Sequence, residues 1–394
     1  MSRSLAALLI FMFGLVLAAF GGMPENYWRT PVASSSSEPQ HWSELEKRLN
    51  PEACAQCHSA QFNDWKQSLH AHAFSPGLIG QFPAMGHADA NDCLNCHAPL
   101  KEQKFADDSE INDALLTSLT QPQGFHADAD VEKQALPLRH AGVTCAACHV
   151  RNWQRFGPPR KGTGGEGEIA GPAHGGFTAS RDFEQSQFCA SCHQFPKSYA
   201  INGKPMENTL VEWQQSRFAR QGIQCQGCHM PDRKHVFKGI HDPDMVRKGL
   251  KIEAGISGSI ATFSITSNGI GHAFPSYVTP KVVVTIAVQD EQGKTLQSRQ
   301  WEISRIVQYN NGWQELSDTR LMPDETRKFS LDAIKATAKK IRFTIDIIPD
   351  AFYKGIYTSL LNKAQEGDAK THIQRALSAA HTNDYRLYVY ELER

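Results

Sequence analysis

The pattern C-x-x-C-H occurs five times, and its five copies use all ten cysteines of the chain. They are Cys54/Cys57/His58, Cys93/Cys96/His97, Cys145/Cys148/His149, Cys189/Cys192/His193 and Cys225/Cys228/His229. Two thiols three residues apart, followed at once by an imidazole, form the attachment pattern of c-type haem. The thiols add across the two vinyl groups of the macrocycle, and the histidine binds the iron. A redox dithiol or half a zinc site would account for one copy. Neither accounts for five copies that leave no cysteine over. The pattern implies five covalently attached haem c groups, with His58, His97, His149, His193 and His229 as proximal ligands, and hence redox chemistry.

With 394 residues the chain has room for two domains, and its 40% hydrophobic content is ordinary for a folded protein. Forty-one basic residues balance 41 acidic ones. Haem propionates would then make the loaded protein acidic. The Lys and Arg are scattered without a basic run, which excludes a nucleic-acid partner on composition. At the N-terminus, Arg3 precedes an apolar run from Leu5 to Phe20. It reads as an export signal cleaved after Ala18 or Gly21, or as an uncleaved anchor, its helix spanning roughly 24 Å. Both place the motifs outside the cytoplasm, in the periplasm or tethered to the inner membrane. The expected organisation is a signal peptide or anchor over 1–23, a flexible linker over 24–50, a pentahaem domain over 51–248 and a β-sandwich-like domain over 249–394.

The fold class expected is a short-helix, loop-rich pentahaem cytochrome c domain followed by a mostly-β domain. In the first part, Gly157 to Pro159, Gly162 to Gly167 and Gly171-Pro172 interrupt the chain. Ala55 to His72, Asp108 to Ser118 and Asn208 to Gln221 read as helices. Packed haems would replace the missing side-chain core. From about residue 249, apolar and polar residues alternate over Lys251 to Thr266. The β-branched run Lys281 to Ala287 enters the turn Asp290 to Lys294 and then Gln297 to Val307. Ile341 to Ile348 and Tyr385 to Leu392 read as further strands, Thr358 to Gln365 and Thr371 to Ala380 as helices.

The second axial ligand separates electron carriage from catalysis, because a second imidazole saturates the iron and an open position admits a substrate. The chain has 17 histidines, enough for five distal ligands. His70 ends the helix expected after the first motif, too far along to cap the same iron. His87 and His140 shortly precede the second and third motifs. His174 lies among small residues, Gly171 to Gly176, that would let a porphyrin approach. His235 or His241 would serve after the fifth motif, and His241 is assigned. His272, in Gly269-Ile-Gly-His-Ala-Phe-Pro275, opens the β part and is expected to reach back to a haem. His41, His126, His372 and His381 are expected to be solvated. Met85 and Met230 are expected to be packing residues.

Cys54-Ala-Gln-Cys-His58 followed by Trp65-x-x-Ser68-x-His70 resembles the multihaem cytochromes c typified by the tetrahaem electron acceptor of ammonia-oxidising bacteria. Gly142 to His149, Phe188 to His193, Gly222 to Pro231 and Gly269 to Pro275 resemble the wider superfamily. The resemblance covers roughly residues 51–290. It implies haems in close stacked and perpendicular pairs, mainly with two histidine ligands. There are five motifs here rather than four, and a β domain is added, so no partner carries over. The ammonia-forming nitrite reductases of this superfamily use a C-x-x-C-K site, and every motif here ends in His.

The leading expectation is an electron relay between periplasmic or membrane redox partners, with no catalytic residue assigned. The alternative is a reductase of a small nitrogen or sulfur compound with one open haem, its anion held by Arg139, Arg151, Arg155 or Arg160. A third reading is a subunit of a membrane-bound electron-transfer complex.

Overall fold

Short helices dominate from Glu44 to Gly249 and strands from Lys251 onward in the computed structural model. It describes residues 39–120, 137–162, 165–363 and 367–394. The signal or anchor, most of the expected linker and His126 lie outside these residues. Among the described residues, no helix is long and apolar enough to cross a membrane. The chain divides into two compact units. The first takes the described residues of Met1–Phe74, Asn91–Ala106 and Gln123–Phe188, and so the first three motifs. The second takes Ser75–Ala90, the described residues of Asp107–Pro122, and Cys189–Arg394, and so the last two. Secondary structure changes character at about residue 250 as the sequence suggests, but the units do not divide there.

Of the helix expected over Ala55 to His72, only Ser59–Trp65 is a helix beyond the end of Pro51–Ala55, and residues 66–72 form turns. His58 joins the two helices with φ −115° and ψ 45°, so the motif itself interrupts the helix. Asn208 to Gln221 likewise splits into Thr209–Gln214 and Arg217–Arg220. The Ser216 hydroxyl caps the second by accepting from Ala219 N. Ser109–Thr120 is helical as expected. In the first unit one buried cluster joins Trp42, Leu49, Leu100, Ala146, Ala147, Val150 and Trp153. Trp42 meets Trp153 edge-on at 5.7 Å. The expected flexible linker therefore ends earlier than residue 50, because Trp42 and Leu49 anchor it in this core.

The second unit holds a two-sheet sandwich. Its strands are β1 (Lys251–Ser257), β2 (Ile260–Thr266), β3 (Lys281–Gln289), β4 (Thr295–Tyr309), β5 (Trp313–Asp318), β6 (Thr326–Leu331), β7 (Lys340–Ile348) and β8 (Tyr385–Glu393). One sheet has the order β5-β4-β3-β7-β8 and the other β6-β2-β1, with every pairing antiparallel. The alternating faces meet between them. Val282, Val284, Ile286 and Val288 of β3 and Ile341, Phe343, Ile345 and Ile347 of β7 are fully buried against Ala261, Phe263 and Ile265 of β2. The Lys251 to Thr266 alternation is a hairpin, with Gly258 at φ 59° in its turn. Strands β5 and β6 were not expected, being short and polar on one face.

The expected late helices are Ala351–Asn362 and Gly367–Thr382. They bury Tyr357, Ile373 and Ala376 against each other. His372 belongs to this face and is fully buried, its Nε2 2.9 Å from Leu115 O. The expectation that it is solvated is wrong, because helical spacing puts it beside Ala369, Ile373 and Ala376.

Candidate haem-binding sites

Each motif lies on a helical turn, which brings residues i and i+3 to one face. Cys145–His149 and Cys225–His229 are five-residue helices in themselves. Cys93–His97 and Cys189–His193 close the helices His87–His97 and Gln187–His193. In the first motif, His58 N donates to Cys54 O at 2.8 Å. No cysteine is in a disulfide. All ten are at least partly accessible, as thioether formation requires.

The five motifs look alike along the sequence, but their cysteines do not share one environment. Of the second cysteines, Cys57 and Cys228 are exposed, whereas Cys96, Cys148 and Cys192 are partly covered. Cys96 is drawn in because it sits in the last turn of a helix whose Ala90 and Leu94 are fully buried. Cys192 sits beside the Ser191 hydroxyl, which donates to its sulfur at 3.9 Å. Burial pushes the Cys148 thiol up to about 11. In the first unit the Cys54 and Cys145 thiols interact directly, which places the first and third attachment points side by side.

The histidines of the motifs are oriented through Nδ1. That of His97 lies 3.0 Å from Ala73 O, that of His149 2.8 Å from Phe156 O, and that of His229 2.6 Å from Lys238 O. A proton on Nδ1 donated to a carbonyl fixes the tautomer and leaves Nε2 as the metal-binding nitrogen. The Nδ1 atom of His193 instead meets a side chain, the Tyr277 hydroxyl, at 2.8 Å. Burial, and then the charges of His174 and Arg155, depress the pKa of His58.

The His97 contact depends on how two segments approach. Gly142, at φ 60° and ψ −133°, lets Val143 N donate to His70 O at 2.9 Å. A Cβ on Gly142 would stand 2.6 Å from His70 O and 3.0 Å from Ala73 N. Residues 70–73, which supply the carbonyl for His97, are seated against this glycine.

Of the expected distal ligands, His272 is placed best. Its ring stands 6.2 Å from that of His229, centroid to centroid, with 14° between the planes. Two imidazoles bound about 2 Å from one iron on opposite sides would have centroids roughly 6 Å apart. The Nδ1 atom of His272 is tied to Ala273 O at 2.9 Å, again leaving Nε2. Burial pushes its pKa down to about 4, so the ring is neutral at neutral pH, as a ligand must be. The residues fit a haem held between His229 and His272.

His174 also has Nδ1 on a carbonyl, that of Gly176 at 2.8 Å. The flanking glycines Gly175 and Gly176 make room for neighbouring parts of the chain. A Cβ on Gly176 would stand 2.0 Å from Ile169 O, and one on Gly175 would stand 2.8 Å from His41 Nε2. Glu46 accepts from His174 N and completes the capping box of Ser43. His87 sets Nδ1 against Asp108 at 2.6 Å, a carboxylate-oriented imidazole. His140 packs edge-on against Phe74 at 4.9 Å. His70 anchors Val143 through its carbonyl. The two candidates after the fifth motif, His235 and His241, use different ring nitrogens. His241 commits Nε2 to Asp350 at 3.2 Å, whereas His235 ties Nδ1 to Arg233 O at 3.0 Å and keeps the ligand tautomer. His72 engages Nε2 with Lys66 O at 3.1 Å, the wrong nitrogen for a ligand.

The arginines near the third motif are engaged elsewhere. Arg151 is buried and donates to Ala146 O and Ala147 O, capping the motif helix. Arg155 stacks over Trp42 at 4.1 Å and donates to Glu46 O at 2.5 Å. Arg139 lies over Phe105 at 4.4 Å and Arg160 over Phe177 at 5.7 Å. The sequence did not point to Tyr277, since an isolated tyrosine in a loop carries no motif. It did not point to Glu212 either, which holds the His272 loop by accepting from Ala273 N at 3.2 Å and pairing with Arg320 at 3.1 Å.

Residues 53–150 match the profile of the family described as cytochrome c554 and c-prime. A search of curated proteins found no match. Among solved structures, the penta-haem cytochrome c552 of Thermochromatium tepidum is 19% identical with a TM-score of 0.59, over 89% of this chain and 100% of that one. A Bacteroides uniformis β-glucuronidase is 18% identical over 25% of this chain and 11% of that one, and its TM-score of 0.13 carries no argument. The first three haem-attachment motifs lie within the residues that match the cytochrome c554 and c-prime family, and the chain is similar in fold to the penta-haem cytochrome, with a β-sheet-rich C-terminal region.

Proposed function

We propose that the chain attaches five haem c groups through its ten motif cysteines and relays electrons between redox partners outside the cytoplasm. Bound haem c supplies a one-electron iron couple. What the chain contributes is ligation, orientation and exclusion of competing ligands. Four of the five proximal histidines, His97, His149, His229 and His193, present Nε2 because Nδ1 is held on Ala73, Phe156, Lys238 or Tyr277. His272 opposite His229 is the observation that carries the reading, because a second imidazole closes an iron to substrates and favours electron transfer. The other four distal ligands are drawn from His70, His87, His140, His174 and His235. The contacts already made by Arg139, Arg151, Arg155 and Arg160 weaken the case for an oxyanion reductase. The partners are redox proteins, free or within a membrane electron-transfer complex, and the likeness to multihaem cytochromes supports the extracytoplasmic setting.

Mass spectrometry of the intact protein should show five added haems. Low-temperature EPR of the oxidised form should contain only low-spin ferric signals, unchanged by cyanide, nitrite or hydroxylamine. Fewer haems would sink the stoichiometry. A high-spin signal converted by those ligands would sink the relay and return the chain to the reductases.

A further inference from the structure

The loop between β2 and β3 serves two motifs at once. It is pinned where Ala273 N donates to Glu212, where Phe274 and Leu321 exchange backbone hydrogen bonds of 2.8 Å, and where the Ser276 and Thr209 hydroxyls meet at 3.0 Å. His272 and Tyr277 flank these pins. His272 faces His229 of the fifth motif, and Tyr277 reaches His193 of the fourth. Tyr277 has φ 62°, a left-handed conformation a bulky residue adopts only when its surroundings impose it. Its ring lies nearly parallel to that of His193, 14° apart, with the hydroxyl 2.8 Å from Nδ1.

A second group competes for that nitrogen. The Glu207 carboxylate comes to 3.9 Å from His193 Nδ1, beyond hydrogen-bonding distance. The two acceptors would do opposite things. An anionic carboxylate draws the Nδ1 proton and gives the imidazole anionic character. That raises its donor strength and favours ferric iron. A neutral phenol oxygen is a weaker acceptor than either a carboxylate or the peptide carbonyls that serve His97, His149 and His229.

We propose that Tyr277 is a positioning residue that holds a neutral hydroxyl on His193 Nδ1, keeps Glu207 off it, and so sets the fourth haem at a more positive potential than Glu207 would. The proposal rests on the reading that His193 ligates an iron. Among the four motif histidines with an Nδ1 partner described above, His193 is the one whose proximal hydrogen bond a side-chain substitution can change, since the partners of His97, His149 and His229 are peptide carbonyls.

The test is a spectroelectrochemical titration of the full haem-loaded protein, with EPR of the ferric state. In Tyr277→Phe, Glu207 is the remaining acceptor, and one midpoint of the five should move negative. In Tyr277→Phe/Glu207→Gln the charge is gone, and that same midpoint should lie positive of the single variant. If the phenylalanine variants fail to accumulate, 3-fluorotyrosine placed at position 277 keeps the ring and weakens the acceptor, and one midpoint should then move positive. Five loaded haems whose midpoints and EPR g-values stay unchanged in these variants would overturn the proposal and leave the relay standing. Loss of haem from Cys189/Cys192 in the unmodified protein, read by peptide mapping, would overturn instead the reading it rests on.

Discussion

Gly142 does at one position what no other residue can do. Its backbone conformation is closed to side-chain-bearing residues, and a methyl group there would collide with His70 O. Gly142→Ala should cost about 1–3 kcal/mol from the backbone alone, and more from the collision. Thermal unfolding monitored at the Soret band measures it, and the His97 haem should be the first perturbed. His272→Ala should leave five haems attached and convert one from low to high spin, read by EPR. A preparation that stays wholly low-spin would assign the His229 haem another distal ligand. The proposed attachment residues stand out in the sequence, because covalent chemistry demands a contiguous pattern. The unequal cover of Cys57, Cys96 and Cys192 was not, since it depends on what packs around each turn. The distal histidines were legible only as candidates. His235 and His241 look alike along the chain, and their ring contacts with Arg233 O and Asp350 become visible only in the fold.

Among the elements, the short hairpin of Ala200–Ile201 and Lys204–Pro205 follows the fourth motif and is fastened by Arg305 of β4. The guanidinium, fully buried, donates to Ile201 O at 3.2 Å and Lys204 O at 2.8 Å, caps Pro205 O, and pairs with Glu315 at 2.7 Å. Arg305→Ala takes the donor from three carbonyls and one of three partners from Glu315, which keeps Asn202 and Lys204, and should destabilise by about 1–3 kcal/mol in denaturant unfolding. Beside it, burial works against ionisation of Asp318, but Arg320 and Lys204 override it and hold the carboxyl well below the usual range. Its folded pKa is below its unfolded one. The stabilisation is therefore complete above about pH 4 and is lost as pH falls toward the folded value. Asp318→Asn should flatten the acid limb of a stability-against-pH curve and leave its neutral part parallel to wild type. The strands β3, β7 and β8 were legible because both chemistry and alternation mark them. The helix over residues 55–72 was misjudged because its apolar spacing runs on through His58, whose backbone leaves the helix to present the ligand.

At the scale of the molecule, the sandwich holds the largest buried hydrophobic cluster described above. Ile345, fully buried among Phe263, Val284 and their neighbours, should cost about 2–5 kcal/mol when cut to alanine. EPR in parallel should show a high-spin fraction with all five haems still attached, because the loop carrying His272 and Tyr277 is strung between two strands of that core. The location of this loop has a further consequence, for biogenesis. A ribosome delivers the fifth motif well before the strand pair that supplies its second ligand. On the proposed ligation, covalent attachment at Cys225 and Cys228 can precede folding of the C-terminal strands, but completion of that iron's coordination cannot. A chain stalled or clipped after the last motif would thus be fully loaded by mass and yet hold one reactive, half-ligated iron, which makes the β region the quality check on a cofactor it does not itself attach.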